Sequence, residues 1–371
     1  MKLVIFGLSI SSAWGNGHAT LWRALCKALA RRGHRVVFFE HDVPYYAAHR
    51  DVFELPQGEL ILYDKWEEIL QKAKRHTSDC DVAMTTSYCP DAIAATELIS
   101  ESHAAVRCFY DLDSPVTLDR LDGGLPVDYV GENGFSGFDL VLSYAGGEVL
   151  NQLRNRLGAR VVAPLFGCVD PEVHHPVHAR DDYRADLSYL GTHAADREQM
   201  LGTLLVEPAK RLPQRKFIIG GAMYDGTFPW EPNIFFLSHV PPPEHPAFYC
   251  SAKLNLNVTR LSMARNGYCP SGRLFEAAAC NTAVLSDNWA GLNEFFEPGR
   301  EILTATTTDE ALEALSKSPG ELARIAHAAR KRTLEEHTAD VRVRQLEDIL
   351  ESLPDGLRGP ACVIPASEAT T

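Results

Sequence analysis

The chain has 371 residues, 45% of them hydrophobic, and a formal net charge of −13. The length exceeds one ordinary domain and predicts two. The acidic balance argues against a nucleic-acid-binding surface, which needs clustered Lys and Arg, and no apolar run reaches the length of a membrane span.

Apolar strand signals and amphipathic helix signals alternate from the start. Residues 2–7 read as a strand and residues 20–32 as a helix stopped by Gly33. Strands are expected at 35–40, 60–63, 82–86, 105–110, 140–143 and 160–163. Helices are expected at 66–74, 91–100 and 146–156. A second series follows Pro164. Its strands are expected at 186–191, 216–220, 234–237, 252–257 and 282–286. Its helices are expected at 197–205, 243–250, 271–279, 308–316 and 319–337. Strands separated by helices imply parallel sheets covered on both faces, with ligands beyond the C-terminal strand ends.

The reading gives an α/β protein with a Rossmann-like first domain over 1–165 and a Rossmann-like second domain over 166–337. A helix over 338–353 returns to the first domain, and 354–371 is a mobile tail. The Pro- and His-containing linker near 165–177 places His174 and His175 at the surface. Lys2 leads straight into the first strand without an h-region, so a cytoplasmic protein is expected. Nine cysteines, an odd count with no C-x-x-C pair, read as reduced buried thiols rather than a zinc site.

Residues 267–294, G-Y-C-P-S-G-R-L-F-E-A-A-A-C-N-T-A-V-L-S-D-N-W-A-G-L-N-E, carry the most chemistry. The Pro270-Ser271-Gly272 turn opens a helix whose unpaired first-turn N–H groups suit a pyrophosphate. Arg273 adds a forked cation. Glu276, one turn on, suits the two hydroxyls of a ribose, so the segment suggests a nucleotide-sugar site. Asp287 through Glu294 follow the next strand toward the same strand ends, with Glu294 read as structural. Asn255 and Asn257 share one strand face in L-N-L-N-V-T-R, either as a hydrogen-bonded amide ladder or near the ligand. Arg260 is a candidate for neutralising a leaving diphosphate. Arg197, after Gly191-Thr192-His193 and Asp196, is a candidate diphosphate contact or a surface residue of a helix start.

In the first half, Gly15, Asn16 and Gly17 precede His18 in a loop whose glycines allow close backbone approach to a ligand. The bland alternative is a flexible loop capped by Thr20. Glu40 stands where the acid of a dinucleotide fingerprint would sit, but G-N-G-H-A-T lacks the third glycine. Asp111 and Asp113 in F-Y-D-L-D-S-P-V lie at a strand end, where a carboxylate can act as a base. Two alternatives are that Asp113 caps the turn before Pro115 and that the D-x-D pattern binds a metal. Asp91 reads as a helix N-cap.

The segment F-E-A-A-A-C-N-T-A-V resembles the donor region of two-domain GT-B glycosyltransferases. Cys269 stands where retaining members have a first glutamate, Asn281 where they have Gly, and Ala283 where they have Pro. P-S-G-R-L-F-E-A-A-A-C is more similar to the CgeB-like family, related to spore-maturation proteins. That resemblance extends to S-S-A-W-G-N-G-H-A-T, F-Y-D-L-D-S-P-V-T-L and H-P-A-F-Y-C with L-N-L-N-V-T-R. It implies a GT-B fold of two Rossmann-like domains facing across a cleft and transfer of a sugar from a nucleotide-sugar, with a UDP-sugar as the favoured donor, to an unidentified acceptor. It further implies no metal and no cofactor. The implied donor-side residues are Glu276, Arg273, Ser271, Gly272, Arg197, Asn257, Arg260, Gly15, Asn16 and Gly17. The base is Asp111, His18 or Asp113. Two other readings stay open. One is a non-catalytic protein that binds a sugar or nucleotide on the same fold, and the other is an NAD-dependent oxidoreductase.

Overall fold

Strands that read as near-continuous apolar runs are expected to be buried on both faces of a parallel sheet. The computed structural model, which describes residues 1–354, has two such sheets. The first contains β1 (Lys2–Gly7), β2 (Arg35–His41), β3 (Glu59–Tyr63), β4 (Val82–Thr86), β5 (Val106–Asp111), β6 (Leu140–Ser143) and β7 (Val162–Pro164). Their order is β3-β2-β1-β4-β5-β6-β7, all parallel. The second contains β8 (Ala185–Leu190), β9 (Phe217–Gly220), β10 (Ile234–Leu237), β11 (Ala252–Asn257), β12 (Val284–Ser286) and β13 (Leu303–Thr304). Their order is β10-β9-β8-β11-β12-β13, again all parallel.

Each sheet reverses direction of winding beside its first strand, between β1 and β4 and between β8 and β11. Such a reversal opens a crevice at the carboxyl ends of the strands, which is where ligands bind in this architecture. The two-residue period of the strands feeds two cores in the second sheet. Phe217 and Ile219 join a cluster with Leu187, Leu254 and Leu256. Ile218 joins the opposite cluster with Phe248, Phe275 and Trp289.

The described chain divides into two units, Met1–Leu165 with 343–354, and Phe166–Arg342. The helix Ala339–Glu351 therefore begins in one unit and ends in the other. In the second unit, Arg342 is 2% exposed and donates to the carbonyls of Phe166, Gly167 and Glu336. In the first, Glu347 accepts from Arg32 Nε at 2.8 Å and pairs with His34 Nε2 at 2.6 Å.

Several elements differ from the sequence reading. The first helix is Gly17–Arg31, because Asn16 rather than Thr20 is its cap and accepts from the His18 N–H at 3.0 Å. The helix Ser114–Asp122 was not expected; its Pro115 is tolerated in the first turn, where no N–H partner is needed. The tail expectation lies outside the described residues except for Pro354, and Cys362 lies outside them too. The other eight cysteines are free thiols. No described helix is long and apolar enough to cross a membrane.

Candidate functional site

In the first unit the loop after β1 is built around Glu40, which ends β2 and is fully buried. Its carboxylate accepts from Ser9 Oγ at 2.8 Å, from the Ile10 and Ser11 N–H groups at 2.8 and 2.9 Å, and from Ser11 Oγ. Glu40 is thus spent on holding the loop and has no capacity left for a ribose. Asn16 is spent in the same way, donating Nδ2 to the Ser9 carbonyl at 3.1 Å. Gly15 has φ +60°, and both it and Gly17 are exposed.

The loop delivers His18 to Asp113. Nε2 of His18 lies 2.8 Å from Asp113 Oδ2, with the two side chains 17% and 13% exposed. Asp113 occupies the N-cap position of Ser114–Asp122 but makes no side-chain cap bond, so its carboxylate is directed to the histidine rather than to the turn. With Nε2–H donating to the carboxylate, the lone pair sits on Nδ1, which has no partner among the described residues. A histidine oriented by an acid, with its second nitrogen unpaired, is the arrangement of a general base.

Asp111 differs. It ends β5 at 0% exposure, its Oδ1 accepts the Asp113 N–H at 3.1 Å, and its Oδ2 has no partner among the described residues. Burial pushes its carboxyl up to about 7. Its buried carboxyl holds the Asp113 backbone in place. Asp111 and Asp113 gather no third metal ligand among the described residues.

In the second unit the helix Gly272–Ala279 starts after Ser271, whose side chain makes no cap bond. It ends at Cys280, followed by Asn281 at φ +59°, a conformation that Asn tolerates as the residue after a C-cap. The substitution of Asn for Gly seen in the sequence therefore preserves the helix stop. Arg273 reaches back to β8: Nε donates to the Leu190 carbonyl, Nη1 to Asn257 Oδ1 at 2.8 Å, and the guanidinium lies 4.9 Å from the Tyr189 ring centroid. Gly191 permits this approach, since a Cβ there would sit 2.7 Å from Tyr189 Oη and 2.8 Å from Arg273 Nη2.

Around Arg273 the polar groups are left unsatisfied. Tyr189 Oη, Tyr224 Oη and Arg197 Nε are buried and have no partner among the described residues. Tyr224 is close enough to Tyr189, Arg273 and Arg197 to feel all three, although burial is the first reason its hydroxyl titrates above the ordinary range. A buried donor without an acceptor costs about 1–3 kcal/mol, so these three groups beside the Arg273 cation suit an anionic ligand. Glu276 stands one turn beyond Arg273, its Oε2 accepting from Tyr249 Oη at 2.8 Å. Burial works to raise its pKa, but His174, His245, Tyr249 and Arg273 together hold it below the ordinary carboxylate value.

Other expected residues are placed elsewhere. Arg260 Nε donates to Asp196 at 3.0 Å, an ion pair that competes with any phosphate role. Asn255 belongs to an amide ladder with Ser188, Thr282 and the Tyr249 carbonyl. Asn257 positions Arg273 while donating to Ser286 and Thr259. Asp287 is buried on Thr259, and Glu294 is exposed. Asp91 sits at the N-cap position without capping; its carboxylate pairs with His41 and Tyr63 instead. His174 is 3% exposed rather than at the surface, because it packs against His245 and Tyr249, while His175 is exposed. Sequence reasoning missed Tyr189, Tyr224 and His245 at this site. The Gly after Tyr-Leu at the end of β8 was the one local signal for Tyr189.

Two doubly wound parallel-sheet domains, each reversing beside its first strand, define the class: the chain has the GT-B fold of glycosyltransferases. Residues 177–348 match the model of the glycosyl transferase-like family. Sucrose-phosphate synthase from Thermosynechococcus elongatus is similar with TM-score 0.72 and 14% identity, over 95% of this chain and 99% of that one. An alpha-glucosyltransferase in complex with UDP-glucose and DNA is similar with TM-score 0.68 and 13% identity, over 95% and 99%. Anabaena HepE in complex with UDP-glucose is similar with TM-score 0.66 and 13% identity, over 95% and 100%. No curated protein matches the sequence.

Proposed function

We propose that this protein transfers a sugar from a nucleoside diphosphate sugar, a UDP-sugar being the favoured donor, to an acceptor hydroxyl. The observation that carries the reading is the group of unsatisfied donors, Tyr189 Oη, Tyr224 Oη and Arg197 Nε, beside Arg273. A diphosphate satisfies them, and Glu276 one turn away accepts from the ribose hydroxyls. Two guanidiniums and the first turn of Gly272–Ala279 neutralise the departing diphosphate, the charge that a divalent ion bears in other transferases, so transfer without a metal is expected. The family resemblance of 177–348 and the UDP and UDP-glucose bound in similar structures support the donor class. The motifs around Ser271 to Cys280 support a CgeB-like member.

In the reaction, His18 takes the acceptor hydroxyl's proton through Nδ1 as that oxygen bonds to C1 of the sugar. The C1–phosphate oxygen bond breaks and the nucleoside diphosphate leaves with the electron pair. Asp113 orients the ring and stabilises its cationic form. This base distinguishes the reading from a non-catalytic binder, and the occupied Glu40 carboxylate disfavours a dinucleotide oxidoreductase.

Proton NMR of the full chain with UDP-glucose, UDP-galactose, GDP-mannose and TDP-glucose tests the reading by slow transfer to water. One donor is expected to release its nucleoside diphosphate, with release lost in His18→Ala. Absence of release from every donor, or equal release by His18→Ala, contradicts it.

A further inference from the structure

We propose that His174, His245 and Glu276 form a binding site for a divalent transition metal ion, Zn2+ being the ion their chemistry suits. One ligand atom from each side chain lies within 4.8 Å of the others. The three residues come from the segment after β7, from the helix His245–Ser251 and from the helix Gly272–Ala279, far apart in the chain. No local ligand spacing in the sequence announces the site.

His174 is the least explained side chain of the second unit. It is 3% exposed, and neither ring nitrogen has a partner among the described residues. A buried imidazole must leave one N–H and one lone pair unsatisfied in that state, at about 1–3 kcal/mol for each. A metal ion takes the lone pair.

The other two members carry the outer partners that metal ligands usually have. His245 Nε2 lies 3.0 Å from the Val240 carbonyl, so it holds the proton and Nδ1 keeps the lone pair. Glu276 Oε2 accepts from Tyr249 Oη, which leaves Oε1 for a ligand. Zinc bonds of about 2.0–2.2 Å would draw the three atoms closer by side-chain rotation and leave a fourth position for water.

The site does not rest on the donor reading, although both use Glu276. The test is a titration of EDTA-treated full-length protein with ZnCl2 against a chromophoric chelator, repeated with Co2+ for its visible spectrum. One equivalent of Zn2+ is expected to bind at micromolar concentration or tighter, and bound Co2+ is expected to lack a thiolate charge-transfer band. His174→Ala and His245→Ala, with folding checked by circular dichroism, are expected to weaken binding at least tenfold, while exposed His175→Ala binds as the wild type. No stoichiometric binding at micromolar Zn2+, a thiolate band, or wild-type affinity in both variants overturns the proposal. UDP binding by the metal-free protein is scored separately, so failure of either reading is recognised by itself.

Discussion

His18, Asp113 and Asp111 form a short relay of contacts, and His18 is its proposed base. His18→Ala is expected to lower kcat by roughly 10²- to 10⁴-fold with little change in the KM for donor, measured by nucleoside diphosphate release. Asp113→Asn lowers kcat by less, since the ring loses its orienting charge but keeps a neighbour. A rise in KM with unchanged kcat in both variants would assign the pair to binding. Asp111 gives a different signature. Its folded pKa of about 7 stands above the ordinary 3.8. Between those pH values the native state holds a proton that the unfolded chain has released, so stability falls as pH rises through the window. Asp111→Asn keeps the acceptor for the Asp113 N–H and removes the titration. A gain of roughly 1–3 kcal/mol in unfolding free energy at pH 8, with a flatter profile between pH 4 and 7, is expected from urea melts; a loss at pH 8 would show that Asp111 serves as a charge.

At the scale of elements, the last helix shows how a few side chains fix a return of the chain. Glu347 is bonded to Arg32 and His34, and despite the cost of burial these partners hold its pKa below the ordinary value. Stability from this group is present at neutral pH and lost as pH falls through the folded pKa. Glu347→Ala is expected to cost about 1–2 kcal/mol at pH 7, discounted for the partly exposed Arg32, and to cost less near pH 3. Equal costs at both pH values would assign the effect to packing. Most strands were legible because strands buried on both faces read as near-continuous apolar runs, as β6 and β9 show. The helix Ser114–Asp122 was not, since S-P-V-T-L-D-R-L-D has no broad apolar face. The Glu276 helix and Arg273 were legible from local spacing. The pairing of His18 with Asp113 was not, because sequence names strand-end residues without saying which of them meet. His174 was missed for a related reason: a histidine pair in a Pro-rich linker reads as solvent-exposed until the packing of Tyr249 and His245 is known.

For the whole molecule, the division of labour is between a unit that holds an oriented histidine and a unit that holds a cluster of unsatisfied cationic and hydroxyl donors. The second carries the central claim, since a nucleoside diphosphate must satisfy those donors before any chemistry follows. The direct measurement is calorimetric titration of the EDTA-treated protein with UDP, alongside Arg197→Ala, Glu276→Ala and His18→Ala. The account predicts one UDP per chain, binding weakened at least tenfold in Arg197→Ala and Glu276→Ala, and affinity unchanged in His18→Ala. UDP and other nucleoside diphosphates that fail to bind, or that bind Arg197→Ala and Glu276→Ala as tightly as the wild type, would contradict it.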